Sequence, residues 1–280
     1  MTDMTNPRAE RVKLVRALSG RSARQKTGFF LVEGPQGVRE AIAHMPDMIR
    51  DIYFSESAEF KHGDLLVAAQ AADVYAHTAT DEVLHAMSPD AQGVLAVVRQ
   101  LDRGPGALER TLAAGVKNVA VLHTVRDPGN AGTVIRAADA AGCDLVIMTA
   151  ESVDLFNPKV VRSTAGSIFN IPIITSVDLD EVIGQLGAAG LQVLAASGYG
   201  TFDLDDLLDV AGTPEATQSV DLAAPTAWLF GNEARGLSDA EVALANVSVK
   251  VPIRGKAESL NLATAATVCV YATSRAQRVK

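Results

Sequence analysis

Three polar loops carry the residues best suited to chemistry. Leu229-Phe230 runs into Gly231-Asn232-Glu233-Ala234-Arg235-Gly236-Leu237, and Val251-Pro252-Ile253-Arg254-Gly255 leads on to Ser259-Leu260-Asn261. In each, an apolar strand empties into a glycine-bounded polar loop, the pattern of a pocket where backbone comes close to a ligand. Ser259 has the chemistry to cap the helix that follows, with Asn261 a polar residue of its first turn. Glu233 reads as a turn residue, a surface carboxylate or a catalytic orienter. The first of the three in chain order is Val125-Arg126-Asp127-Pro128-Gly129-Asn130-Ala131-Gly132-Thr133-Val134-Ile135-Arg136. It turns at Pro-Gly and opens a helix at about Asn130, which can cap it, while Gly132 would let another segment approach the first turn. Arg136, near the end of the second turn, carries a planar fork that could hold a phosphate. A cap plus a surface ion pair accounts for this loop equally well.

The elements that must position these loops alternate between strand and helix. Residues 8–26 read as one helix with Val12, Val15 and Leu18 as its apolar stripe. Strands are expected at 29–34, 49–54, 74–75 and 93–98, with helices at 37–44, 65–70 and 80–87, a small α/β unit. Asp102-Arg103-Gly104-Pro105-Gly106 is the best linker, and the division read from it is a first domain over 1–102, a linker over 103–110 and a second domain over 111–280. In the second domain, strands are expected at 118–122, 144–148, 171–174, 192–196, 227–230 and 248–251. Helices are expected at 131–141, 158–163, 180–189 and 260–277. These strands are uniformly apolar, as in a parallel sheet covered on both faces. Thr201 to Asp221, rich in Asp, reads as an acidic excursion or loop outside the site.

Composition narrows the class. A chain of 280 residues with 48% hydrophobic content can build two modest cores. Its apolar runs are short and broken by charge, so no membrane span is expected, and the polar, basic start lacks an apolar signal segment. Two cysteines, Cys143 and Cys269, suit a reducing cytoplasm, and the five scattered histidines give no metal pattern. The net charge of −8 is uneven: Arg8, Arg11, Lys13, Arg16, Arg21, Arg24 and Lys26 face only Asp3 and Glu10 in the first thirty residues. A basic arm on an acidic body is compatible with phosphate binding, or with a solvated helix face.

Taken together, N-x-G-x-x-x-R (Asn130, Gly132, Arg136), F-G-N-E-x-x-G-L (Gly231, Asn232, Glu233, Gly236) and V-P-I-x-G-x-x-x-S-L-N-L (Pro252, Gly255, Ser259, Leu260, Asn261) resemble the SpoU, or TrmH, family of RNA ribose 2′-O-methyltransferases in the SPOUT superfamily. The resemblance covers about residues 115–278. Phe30-Leu31-Val32-Glu33-Gly34 and Gly93-Val94-Leu95-Ala96-Val97 are similar to the outer strands of the small, ribosomal-protein-like RNA-binding domain that many members carry.

The resemblance implies an α/β catalytic domain with a deep trefoil knot, S-adenosylmethionine as methyl donor, no metal, and a homodimer whose subunits share each active site. The apolar residues Leu262, Ala266, Val268 and Val270 of the last helix fit a dimer contact or plain core burial. By the same analogy the cofactor contacts are Ala196, Ser197, Leu229, Gly231, Val251, Ile253 and Leu260. The catalytic set is Arg136, Asn130, Glu233, Ser259 and Asn261, with Arg136 either a base or a phosphate clamp. The basic arm (Arg8, Arg11, Arg16, Arg21, Arg24, Lys26) and Arg39 would bind RNA. Ribosomal RNA, most of all 23S, is the favoured substrate. A tRNA methyltransferase and a non-catalytic RNA-binding or assembly protein are the alternatives. A nucleotide-dependent dehydrogenase ranks far below, because the G-x-G-x-x-G fingerprint is missing.

Overall fold

The computed structural model describes residues 3–101, 103, 105–216 and 220–278. The chain forms two compact units, one of Met1–Leu101 with Asp154–Asn170, the other of Asp102–Val153 with Ile171–Lys280. The expected division at a single linker is thereby corrected on two counts. A segment from the second half of the chain belongs to the first unit, and most of the expected linker 103–110 is the first turns of helix α7 (Pro105–Ala113). Proline at the first position of a helix costs no hydrogen bond, because that N–H has no partner inside the helix. Asp102 and Gly104, part of the linker reading, lie outside the described residues.

In the first unit, strands β1 (Phe29–Glu33), β2 (Ile49–Ser55), β3 (Ala76–Ala79) and β4 (Val94–Arg99) form a sheet of order β1-β4-β2-β3. β4 is antiparallel to both neighbours and β3 is parallel to β2. The expected single helix over 8–26 is two, α1 (Glu10–Ala17) and α2 (Arg21–Thr27), broken at Ser19-Gly20. Val12, Val15 and Leu18 do face the core, with Leu31, Tyr53, Leu84, Met87 and Leu95. The strand read at 74–75 starts at Ala76, and helix α4 (Glu56–Lys61), capped by Ser55 Oγ, was not foreseen. The remaining helices are α3 (Pro35–His44), α5 (Gly63–Ala71), α6 (Asp81–Met87) and, from the Asp154–Asn170 segment, α9 (Pro158–Ser163). Three features hold that segment to the unit. Phe30 packs on Phe156, with ring centroids 4.8 Å apart; Arg24 bonds Asp154 at 2.6 Å; and Arg162 bonds Glu33.

The second unit is a seven-stranded parallel sheet of order β7-β6-β5-β10-β8-β11-β9. Its strands are β5 (Asn118–Leu122), β6 (Leu145–Thr149), β7 (Ile173–Val177), β8 (Gln192–Ala196), β9 (Phe202–Asp203), β10 (Thr226–Phe230) and β11 (Val247–Lys250). Both faces are covered, which is why the strands read as unbroken apolar runs. On one face Leu108, Leu179, Val182 and Leu186 of α7 and α10 (Leu179–Ala188) pack on Val119, Val121, Val193 and Leu229. On the other, α13 (Leu262–Gln277) packs beside α8 (Pro128–Ala141). There the Trp228 indole donates to Thr273 Oγ1 at 2.9 Å, and Asn118 Nδ2 donates to the Val270 carbonyl. Ala266 and Val270 are therefore core residues, whereas Val268 and Tyr271 stay exposed on α13.

The acidic segment 201–221 is not a detached loop. It supplies the edge strand β9 and helix α11 (Leu204–Asp209), capped by Asp203. Leu204, Leu207, Ala216 and Val220 anchor it, all of them buried between its aspartates. Residues 217–219 of this stretch lie outside the described residues.

Candidate active site

β5, β10, β8 and β11 lie side by side and run parallel, so the loops leaving their C-terminal ends gather at one edge of the sheet. That edge is the usual ligand site of open α/β sheets. The first loop ends at α8, where Asp127 is the cap: its Oδ1 accepts the Asn130 N–H at 2.7 Å. The expected cap at Asn130 is corrected. Pro128 takes the first helical position, and Asn130 sits in the first turn with its amide free to reach across.

That amide joins the three loops. Asn130 Nδ2 donates to Glu233 Oε1 at 3.4 Å, and Asn130 Oδ1 accepts Asn261 Nδ2 at 3.0 Å. Glu233 also accepts the backbone N–H groups of Arg126 (3.2 Å) and Asp127 (3.0 Å). Its carboxylate thus closes the turn before α8 from a loop more than a hundred positions later. Asn261 Oδ1 accepts from Ala263 and Thr264, which makes Asn261, and not Ser259, the cap of α13. Ser259 and Arg136 are exposed, and among the described residues neither side chain has a hydrogen bond or ion pair. Of the five expected catalytic residues, the structure ties together Asn130, Glu233 and Asn261.

Of the residues expected at the cofactor, Ala196 and Ser197 leave the end of β8 half-buried, and Ser197 N–H donates to the Val249 carbonyl at 2.9 Å. Gly231 is packed against its own loop: a Cβ there would lie 2.5 Å from Gly236 O and 2.6 Å from Leu237 N. Gly200 meets the same restriction against Val249 and Lys250. Val251 is half-buried, while Ile253 and Leu260 are apolar side chains left 38% and 37% exposed on an otherwise polar loop. Leu229 is a correction. Its side chain is fully buried in the α7/α10 face and its backbone is paired with Val121 and Ala195, so it is a core residue.

A second network, not foreseen, braces the loops. Glu241 of α12 (Asp239–Ala243) accepts both Arg235 Nη1 (2.8 Å) and Nη2 (2.7 Å), the Ser238 N–H, and a bond from His123 Nε2 at 2.8 Å. The Arg235 guanidinium foremost holds the Glu241 carboxyl well below the usual carboxylate range. His123 precedes Thr124, whose φ is +50° and whose carbonyl accepts Asn232 Nδ2 at 2.8 Å. The legible signal was Ser238-x-x-Glu241, a capping-box spacing that the structure forms in full. Asp205 of α11 pairs with Arg254 at 2.6 Å, so the acidic segment does bear on the third loop. Burial pushes the Cys143 thiol up to about 12 and Cys269 higher still, so neither is a nucleophile. Among the described residues no group of His, Cys, Asp and Glu could hold a metal ion, and no helix is long and apolar enough to cross a membrane.

The basic residues expected to bind RNA divide. Arg8, Arg16, Arg21 and Lys26 are exposed, their side chains unpaired among the described residues. Arg11 is held by Asp51 at 2.7 Å and by the Tyr53 hydroxyl, and Arg39 is paired with Asp64. Arg24 is a correction: at 3% exposure it is spent on Asp154 and on the carbonyls of Leu18 and Ser19, a structural ion pair with no face for a ligand.

Comparison with known proteins agrees with this geometry. Residues 117–271 match the SpoU rRNA methylase family, and residues 9–96 match an MRM3-like substrate-binding domain. The chain is 32% identical to the 23S rRNA (guanosine(2553)-2′-O)-methyltransferase RlmP of Bacillus subtilis, over 97% of this chain and 98% of that protein. Its fold is similar to that of the AdoMet-bound rRNA methyltransferase from Sinorhizobium meliloti (28% identity, TM-score 0.77, 97% of both chains). It is also similar to the SpoU methyltransferase AviRb from Streptomyces viridochromogenes in complex with AdoMet (28% identity, TM-score 0.78, 97% of this chain and 99% of that one). The chain belongs to the SpoU rRNA methylase family.

Proposed function

We propose that this protein transfers a methyl group from S-adenosylmethionine to a ribose 2′-hydroxyl of 23S ribosomal RNA. The observation that carries the reading is the Asn130–Glu233–Asn261 chain of hydrogen bonds, which joins the three family motifs at the C-terminal edge of the sheet. S-adenosylmethionine supplies an electrophilic methyl group on a sulfonium. The residues at hand fit an adenosyl ligand: exposed Ile253 and Leu260 and half-buried Val251 offer apolar cover beside Ala196, Ser197 and Gly231. Leu229 supports them from the core.

The other substrate is a weakly acidic hydroxyl beside a phosphodiester. Arg136 is exposed and, among the described residues, unpaired, and an arginine side chain offers a fixed, planar, two-pronged cation for a phosphate. It clamps the phosphate next to the target ribose and stabilises the alkoxide that develops as the hydroxyl proton passes to solvent water. Glu233 and Asn261 hold Asn130 and the turn before α8 in place, and Ser259 lies open to the substrate on the third loop. The exposed Val268 and Tyr271 of α13 form the contact with a second copy, through which two chains share each site. The knot expected from the family lies in the second unit, and the first unit, with Arg8, Arg16, Arg21 and Lys26 outward, binds the RNA in the cytoplasm. Incubating the protein with tritiated S-adenosylmethionine and RNA from a strain lacking it should label 23S rRNA and leave tRNA unlabelled. Labelled tRNA alone would overturn the choice of RNA, and no label in any RNA would overturn the activity.

A further inference from the structure

A cleft of about 610 Å³ opens on the first unit between the end of α1, the end of α6 with the Ser88–Asp90 turn, and the start of α9. Leu31 and Met87 form an apolar floor, and Arg16, His85, Lys159 and Arg162 stand around it. Its two acids are already engaged. Glu33 is buried beneath Arg162 and accepts the Ser88 hydroxyl, and Asp90 is gripped by the same guanidinium at 3.1 Å. What the cleft offers to a ligand is Arg16 and Lys159, both exposed and unpaired among the described residues.

A surplus of cations here stands against a chain of net charge −8. The opening is wide enough for a nucleotide unit, well beyond a lone ion. Arg8, just ahead of α1, and Arg21 and Lys26 of α2 are also exposed and, among the described residues, unpaired; further cations on these neighbouring segments of the chain suit a polyanion better than a single carboxylate.

We propose that this cleft seats the sugar–phosphate backbone of the RNA, with Arg16 and Lys159 on its phosphates. The inference rests on the proposed activity toward RNA and adds a location. Lys159 belongs to the stretch matched as methylase, residues 117–271, yet stands in the first unit. The RNA-binding surface is then built from both matched regions, and not from the first hundred or so residues alone.

The test is filter binding of the full-length protein to 23S rRNA purified from a strain lacking it, across roughly 50 to 200 mM salt. Arg16→Ala and Lys159→Ala should each lower the slope of log affinity against log salt by roughly 0.7–0.9 and weaken binding about fivefold at fixed salt, with Lys159→Glu weaker still. Lys61→Ala, an exposed lysine of α4 outside the cleft, should match the wild type, and S-adenosylmethionine affinity should be unchanged in all variants. Slopes and affinities of Arg16→Ala and Lys159→Ala equal to those of wild type would overturn the inference, including the case in which the cleft takes an acidic protein segment instead. A wild-type protein that bound no RNA would overturn the proposed activity together with it.

Discussion

Replacing Glu233 with glutamine keeps the size of the side chain and removes its charge, which isolates what the carboxylate does. Glu233 accepts three N–H groups: the backbone amides of Arg126 and Asp127, one on each oxygen, and the Asn130 amide. A glutamine has one acceptor oxygen, so its NH2 must face a backbone N–H and that contact becomes repulsive. A hydrogen bond to a charged group contributes about 1.5–3 kcal/mol, and water can replace part of it at this exposed position, so about 1–2 kcal/mol is a fair expectation. If that energy holds the turn before α8 in its reactive geometry, kcat should fall about five- to thirtyfold. The affinity for S-adenosylmethionine should hold, because the partners of these bonds, Arg126, Asp127 and Asn130, are not among the residues expected at the cofactor. Glu233→Ala should cost more than Glu233→Gln. In a double-mutant cycle with Asn130→Ala the two losses should be clearly less than additive. Single-turnover methyl transfer with both ligands saturating is the assay. A Glu233→Gln enzyme within twofold of wild type, or losses that simply add, would refute the idea that this carboxylate organises the site.

Gly231→Ala should weaken S-adenosylmethionine binding at least about tenfold by calorimetry, since its Cβ would press on the backbone of Gly236 and Leu237 and the loop would have to move. Arg24→Met strands Asp154 beside a partly buried gap and should destabilise the first unit by about 3–5 kcal/mol in urea, while leaving the salt slope of RNA binding unchanged. The Glu241 carboxyl has a folded pKa below its unfolded value, so its stabilisation is fully present above the ordinary carboxylate range and is lost as pH falls through the depressed value. Glu241→Gln should therefore lower the melting temperature at pH 7 and lose that deficit in strong acid; an equal deficit at every pH would contradict the assignment.

Much of the architecture was written locally. β5, β8 and β10 announce themselves as apolar runs because they are covered on both faces, and the three motif loops follow because each leaves such a strand. Other features needed three dimensions. Asn130 and Ser259 are good capping residues, but Asp127 stands before Pro128 and Asn261 stands nearer the first turn of α13, and those neighbours take the caps. Arg24 and Leu229 have types that suit RNA and a ligand, respectively, and only burial shows that each is structural. The return of Asp154–Asn170 to the first unit depends on Phe30, Glu33 and Arg24 meeting partners about 130 positions away, a pairing no periodicity records. The Glu241 hub was half-legible, since Ser238-x-x-Glu241 signals a cap but says nothing of Arg235 and His123 converging on it.

Alkali distinguishes a methyl group on the ribose from one on a base. A 2′-O-methyl group removes the nucleophile of alkaline cleavage, so the 3′ phosphodiester next to it survives base. After methylation of 23S rRNA with tritiated S-adenosylmethionine and complete alkaline hydrolysis, the label should migrate with alkali-stable dinucleotides, and Arg136→Ala protein should leave none. Label recovered in mononucleotides, the signature of a methylated base, would contradict methyl transfer to the ribose 2′-oxygen.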